Sequence, residues 1–241
     1  MATLIVSIET IGENWEDIDE VTQDNLIYWI EQSKRGESDR AKHIKDVKEN
    51  LRFSPLTGKV ITLGLYDLER KKGVIYYTAE GKIENKKVDE FVLKASNEKN
   101  ILEDFWEGAK SYDTFVTFCG RSFVIPFILH RSLVHNLLPT KNLMNSRYLS
   151  LQQNISHVDL QDQLTFYGAM RRRPSLHMFC RAYGIDSPRQ INENNSVPEF
   201  YRQKKFLDIA HHSMANVIAT TKLYQKWYSY LAPESFKNID F

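Results

Sequence analysis

Leu4-Ile5-Val6-Ser7-Ile8-Glu9-Thr10 stands close to the start of a chain of 241 residues. Leu4 to Ile8 is a short apolar run rich in β-branched side chains. It predicts a strand buried in the middle of a sheet, because strands covered on both faces read as near-continuous hydrophobic runs. Glu9 then sits at the exit of that strand.

The remaining elements are read outward from it. Residues 13 to 52 are acidic and helical in pattern. Asn25, Leu26, Tyr28, Trp29 and Ile30 lie in one amphipathic stretch, and Ala41 to Leu51 gives a second, more polar one, so an insertion of two surface helices is expected. Ser54-Pro55-Leu56-Thr57-Gly58 is a turn signal, and the runs Lys59 to Tyr66 and Val74 to Thr78 read as an antiparallel hairpin. Asn97 can cap a helix reaching Lys110, whose Ile101, Leu102, Phe105 and Trp106 share a face. Thr114 to Cys119 is the next strand. Gly120-Arg121-Ser122 turns the chain into an apolar helix from Phe123 to Val134, with Pro126 in its first turn, where a missing N–H donor costs little. Ser156 to Leu160 reads as a last short strand. Arg171-Arg172-Arg173-Pro174-Ser175, a helix from Leu176 to Tyr183, a loop from Gly184 to Asn195 and a long helix from Phe206 to Leu231 follow. This order predicts an α/β chain: a mixed sheet of three antiparallel strands then alternating helix and strand, with helices on both faces. The ribonuclease H-like topology has this order.

Composition sets the bounds. Hydrophobic residues make up 42% and charged residues 26%, which fits one soluble domain over 1–241 and excludes a disordered chain. Lys and Arg total 32 against 31 for Asp and Glu, a net charge of +1, so no generic polycation holds nucleic acid by net attraction alone. The total hides an asymmetry: residues 1–57 carry a net −5 and residues 111–241 a net +6. Cys119 and Cys180 sit in apolar runs and read as buried free thiols of a reduced compartment. With no basic leader and no long apolar run, a cytoplasmic protein without a membrane anchor is expected.

Four blocks of this chain carry a resemblance. They are Val6-Ser7-Ile8-Glu9-Thr10; Thr117-Phe118-Cys119-Gly120-Arg121-Ser122-Phe123-Val124-Ile125-Pro126; His157-Val158-Asp159-Leu160 with Arg173-Pro174-Ser175-Leu176 and Tyr183-Gly184-Ile185; and His212-Ser213-Met214-Ala215-Asn216-Val217. In order, spacing and element context they resemble the motifs of the DEDD-type 3′-5′ exonucleases related to the proofreading domain of family B DNA polymerases. Those motifs are Asp-Ile-Glu-Thr, an Asn-Gly pair ahead of Phe-Asp-x-Pro, and Tyr-x-x-x-Asp-Val.

The resemblance implies chemistry by two Mg²⁺ or Mn²⁺ ions roughly 4 Å apart, held by four carboxylates. Only Glu9 survives of that set. Ser7, Val124 and Asn216 stand at the other three positions, and hard dications need anionic oxygen ligands that these side chains do not supply. His212 takes the tyrosine position, while His211 has the spacing of the family's histidine branch. The resemblance thus implies an exonuclease fold with a degenerate site and no expected cofactor. Glu9 is its one metal-ligand candidate, and the resemblance implies that single-stranded DNA or RNA is the partner. In the alternative, an active Mg²⁺- or Mn²⁺-dependent exonuclease works with Glu9, Asn216, His212 and Asp159. A third reading is an accessory protein whose insertion, residues 13–52, meets a partner.

Each candidate also has a plainer role. Glu9 is either a ligand or an acid at a strand end. Thr10 and Ile11 resemble the residues that hold the terminal nucleotide. Phe123 stacks on a base or belongs to the core. Arg121 and Arg171, Arg172 and Arg173 match phosphate oxygens by their guanidinium forks, or serve solubility; Lys204 and Lys205 are weaker phosphate candidates. Asp159 reads as a supporting residue, His157 and His177 as packing or surface residues, and Trp15, Tyr28 and Trp29 as the groups that dock the insertion on the core.

Overall fold

A computed structural model describes residues 2–32, 37–79, 84–188 and 196–237. Part of the expected loop after Gly184, residues 189–195, lies outside the described residues, as do residues 33–36 of the insertion and the Trp29 side chain.

One sheet contains β1 (Thr3–Gly12), β2 (Gly58–Asp67), β3 (Lys72–Thr78), β4 (Lys86–Val88), β5 (Phe91–Ser96), β6 (Thr114–Thr117) and β7 (Ser156–Asp159), in the order β4-β5-β3-β2-β1-β6-β7. β1, β2 and β3 are antiparallel neighbours, and β6 runs parallel to both β1 and β7. The structure is thus a mixed α/β sheet in which β1 lies inside, between β2 and β6. β4 and β5 are additional to the expected strands. β5 alternates buried Phe91 and Leu93 with exposed Val92, the period of two of a half-covered strand. β4 is the polar run Lys86-Lys87-Val88, which pattern alone does not mark.

The eight helices among the described residues are α1 (Glu20–Glu31), α2 (Glu37–Asn50), α3 (Glu98–Ala109), α4 (Ile125–Val134), α5 (Leu160–Leu164), α6 (Leu176–Tyr183), α7 (Val197–Arg202) and α8 (Phe206–Tyr230). α3 starts where the Asn97 side chain accepts the N–H of Asn100, satisfying one of the free donors of its first turn. Its Ile101, Leu102, Phe105 and Trp106 are buried together with Leu4, Val6 and Ile8 of β1 and with Ile125, Phe127 and Ile128 of α4. Ile5 points to the other face and packs with Val217, Leu223 and Tyr224 of α8. Helices therefore cover both faces. No helix among the described residues is long and apolar enough to cross a membrane.

Two glycines set how closely these layers meet. A Cβ on Gly64 of β2 would stand 2.5 Å from Val217 Cγ2, so only glycine lets α8 lie this near the sheet. Thr62 then donates to Ser213 Oγ at 3.0 Å. A Cβ on Gly120 would stand 1.8 Å from Thr117 Oγ1 and 2.6 Å from His157 Nε2, the pair that links β6 to β7 at 2.8 Å. Before Gly120, Cys119 holds φ at 57°, a left-handed conformation that Asn adopts more readily and that costs other residues on the order of 1 kcal/mol. Cys180 is buried, whereas Cys119 is only partly so.

The insertion differs from expectation in how it docks. Tyr28 is 51% exposed, whereas Ile18 and Leu51 are buried. Leu51 lies so close to Gly12 that a Cβ there would stand 2.8 Å from Leu51 Cβ. Thr10 Oγ1 donates to the Arg52 carbonyl at 2.6 Å and Thr57 Oγ1 to that of Leu51 at 2.9 Å. The insertion's end is therefore fastened to the central strand by small and aliphatic side chains.

Candidate functional site

β1 pairs with β6 only from Thr3 to Ile5 and then continues alone on that side. Side chains alternate along a strand, so Ser7 and Glu9 share the α8 face with Ile5. Between Glu9 and Thr10 the register against β2 shifts: Ile61 is the extra residue, and such bulges re-aim neighbouring side chains. Glu9 thereby stands in a crevice beyond the carboxyl end of a parallel strand, a recurrent ligand position in open α/β sheets.

α8, held down at Gly64 and Ser213, brings two side chains to Glu9. Asn216 Nδ2 donates to Glu9 Oε1 at 2.6 Å, and His212 Nε2 lies 3.7 Å from the same oxygen. His212 is thus the histidine that faces Glu9, one helical turn from Asn216. A cavity of about 260 Å³ opens here, lined by Glu9, Ser175, Leu176, His177, Pro188, His212 and Asn216. His177 and Ser175 were not marked as site residues by sequence; the signal was their place directly after Arg173-Pro174. His177 Nδ1 meets Ser187 Oγ at 2.7 Å.

Burial pushes the Glu9 carboxyl above its ordinary value of 4.5, although His212, the Asn216 N–H and Arg52 pull it down. A raised carboxylate costs stability once ionised. The penalty is absent below the ordinary pKa and complete above the raised one. Glu9→Gln keeps an acceptor for Asn216 and removes the charge. It is expected to melt about 2–4 °C above the wild type at neutral pH for each kcal/mol of penalty relieved, and to lose this advantage as the pH falls below about 4.5. Scanning calorimetry at both pH values checks this, and identical melting at neutral pH would contradict it.

The other positions of interest fall elsewhere. Val124 is buried in the apolar cluster on the Ile8 side of the sheet. Ser7 faces α8 opposite Gly64. Arg121 fastens a loop: its Nη2 donates to the carbonyls of Asn145 at 3.0 Å and Ser146 at 2.5 Å. Its guanidinium is committed there and not to the cavity. Asp159 accepts the N–H groups of Arg121 at 2.8 Å and Gln161 at 3.0 Å, capping α5 and fixing the Gly120 turn. Burial holds His157 down to about 3, a neutral ring bonded to Thr117 and to the Leu143 carbonyl. The Thr10 hydroxyl is spent on Arg52, and Ile11 packs beside Ile61, Val197 and Ile209.

Phe123 lies between Phe53 and Phe127, at 6.1 and 5.4 Å between ring centres, so it joins the core to a ring that is half exposed. Arg171, Arg172 and Arg173 are exposed. Arg173 is two residues from Ser175, which lines the Glu9 cavity, a separation of at most about 7 Å along the chain. Lys204 and Lys205 are exposed ahead of α8. Among the described residues no group of three or more His, Cys, Asp or Glu gathers in a way that could hold a metal ion.

Comparison with known proteins agrees with this architecture. The chain is similar over residues 71–236, more than half its length, to the family described as "Predicted 3'-5' exonuclease related to the exonuclease domain of PolB". No curated protein matches it by sequence. Among solved structures, the family B DNA polymerase from the hyperthermophilic archaeon Pyrobaculum calidifontis superposes with a TM-score of 0.56 at 14% identity, over 94% of this chain and 24% of that one. At that identity the likeness is one of fold, and the chain spans about a quarter of the polymerase's length. The family match starts beyond Arg70, and the segment carrying Glu9 joins the matched part through the pairing of β1 with β2 and β6. With its sheet order, its α8 covering β1 and its matching sequence, the chain belongs to the family of predicted 3′-5′ exonucleases related to the exonuclease domain of PolB.

Proposed function

We propose that this protein binds single-stranded nucleic-acid ends in an exonuclease-type cleft whose hydrolytic centre is impaired. The observation that carries the reading is the bond from Asn216 Nδ2 to Glu9 Oε1 at 2.6 Å. The one acidic side chain among the described residues of the cavity accepts an amide N–H where a two-metal centre needs anionic oxygens. An amide that donates to the carboxylate turns its own oxygen away from it, and Val124 offers no donor atom. This donor set does not fit two hard dications.

What remains favours binding. Losing carboxylates from the cleft lowers its repulsion toward phosphate. Arg171, Arg172 and Arg173, exposed in the segment that leads to Ser175, supply forked donors for phosphate oxygens, and exposed Phe53 beside Phe123 offers a face on which a base can stack. Ser175, His177 and Asn216 give the terminal nucleotide polar contacts. Fluorescence anisotropy of a labelled single-stranded oligonucleotide in EDTA tests the reading. Binding is expected at low salt, with log K falling linearly against log salt by about 0.7 per phosphate neutralised. No binding at low salt to either DNA or RNA would refute it.

A further inference from the structure

Among the described residues a second cavity exceeds the one at Glu9 in volume. A concavity of about 750 Å³ lies on the other side of β1's exit, between the insertion and the chain leading into α7, floored by Ile11 and Gly12. Lys45, Lys48, Arg52 and Arg202 line it, against the acids Glu13 and Glu49. Lys45, Lys48 and Arg52 are spaced three and four residues apart, so α2 and the turn after it present them along one side. A second hollow of about 270 Å³ shares Ile11, Gly12, Glu13, Pro198 and Arg202 with the first and adds Asn14, Asp17, Lys59 and Tyr201. Lys59 Nζ lies 5.6 Å from the Tyr201 ring centre and Lys48 Nζ 4.9 Å from that of Trp15. Among the described residues the five cations Lys45, Lys48, Arg52, Lys59 and Arg202 outnumber the three acids Glu13, Asp17 and Glu49 of the two linings. The Lys45–Glu49 pair, at 3.7 Å, is exposed on both sides, and Arg202, which pairs with Glu199, is 73% exposed. Pairs of that kind are weak and yield to a stronger anion.

The groove and the Glu9 site are neighbours along β1. Ile11 is two residues from Glu9 on an extended strand, about 7 Å. Arg52 reaches both, lining the groove while its charge bears on the Glu9 carboxyl. It also lies 4.4 Å from the ring centre of Phe53, the neighbour of Phe123.

We infer that the insertion makes this groove a second binding segment for the same strand, in which Lys45, Lys48, Lys59, Arg52 and Arg202 track the phosphates of nucleotides beyond the one at Glu9. The inference rests on the nucleic-acid reading above. It qualifies the sense of the insertion's net negative charge: Lys45, Lys48 and Arg52 at the end of the insertion face the groove, beside Glu13 and Glu49. Basic grooves with aromatic platforms bind single strands without sequence preference over roughly 4–16 nucleotides.

The test compares the full-length wild type with Lys45→Gln/Lys48→Gln/Arg202→Gln on oligothymidylates of about 4 and about 16 nucleotides, the span of such grooves. The three side chains are exposed, and circular dichroism checks that the variant folds. The wild type is expected to bind the longer strand more tightly. The variant is expected to bind the short strand as the wild type does and to lose on the order of 100-fold on the long one at about 0.1 M salt, with a salt slope lower by about 2. A variant equal to wild type on both lengths would overturn the groove and leave the nucleic-acid reading standing. Failure of the wild type to bind either length, as oligothymidylate or as oligouridylate, would overturn both. A labelled oligoglutamate that binds the wild type more tightly than the long strand would reassign the groove to an acidic peptide.

Discussion

Replacing Arg171, Arg172 and Arg173 together with alanine is expected to weaken single-strand binding on the order of 100-fold at about 0.1 M salt and to lower the salt slope by about 2. The figure follows from three phosphate contacts, each releasing about 0.7 counterion from a single strand. The three arginines are exposed and the segment enters α6 through Pro174 and the Ser175 cap, so alanine should not disturb the fold. Unlike the groove variant, this one should lose affinity for short and long oligonucleotides alike, because the proposed function assigns these arginines to the nucleotide at Glu9. Anisotropy titrations at several salt concentrations measure both quantities. An unchanged slope would mean that the arginines only keep the surface soluble.

Glu98→Ala is expected to cost about 3–5 kcal/mol, because removing one member of a buried ion pair strands the other. Glu98 is 8% exposed. Its Oε1 accepts the N–H of Val60 at 2.7 Å and Arg131 Nε at 2.9 Å, and its Oε2 accepts Arg131 Nη2 and His135 Nε2, both at 2.8 Å. Val60 pairs with Thr10 immediately past the bulge that aims Glu9, so this carboxylate braces the site from the opposite face. In Glu98→Ala the Arg131 charge and the Val60 N–H lose their partner together. A fall in melting temperature on the order of 10 °C should result. Burial alone would raise the Glu98 carboxyl, but the bonds from Arg131, His135 and the Val60 N–H outweigh it and hold it below 4.5. Stability from this ionised group is therefore complete above about 4.5 and lost as the pH falls through the lowered value. The gap between wild type and Glu98→Gln should narrow in acid. A gap independent of pH would contradict this assignment.

The elements that local pattern controls were legible before the structure. Asn97 ahead of Ile101, Leu102, Phe105 and Trp106 defines α3 by cap and period, and the run from Leu4 to Ile8 marks the central strand because both its faces are covered. β4 and β5 escaped because Lys86-Lys87-Val88 is polar and short, and the alternation of Phe91, Val92 and Leu93 covers few residues. Motif order located Glu9, His212 and Asn216 on facing elements, but only the packing at Gly64 tells which histidine turns inward. Where sequence reasoning fell short, side chains are consumed by distant partners. Arg121 is taken by carbonyls 24 and 25 residues away, and Glu98 by groups 33 to 38 residues away. The basic edge of α2 was legible in the spacing of Lys45, Lys48 and Arg52, yet the net charge of the insertion concealed it.

The most direct measurement incubates a 5′-labelled single-stranded oligonucleotide with the wild-type protein in Mn²⁺ and, in parallel, in EDTA, and follows both complex and label length. An impaired hydrolytic centre in an intact binding cleft predicts equal complex in both conditions and a label of unchanged length. EDTA-sensitive shortening from the 3′ end that disappears in Glu9→Gln would contradict it and make the protein an exonuclease working with a substituted ligand set.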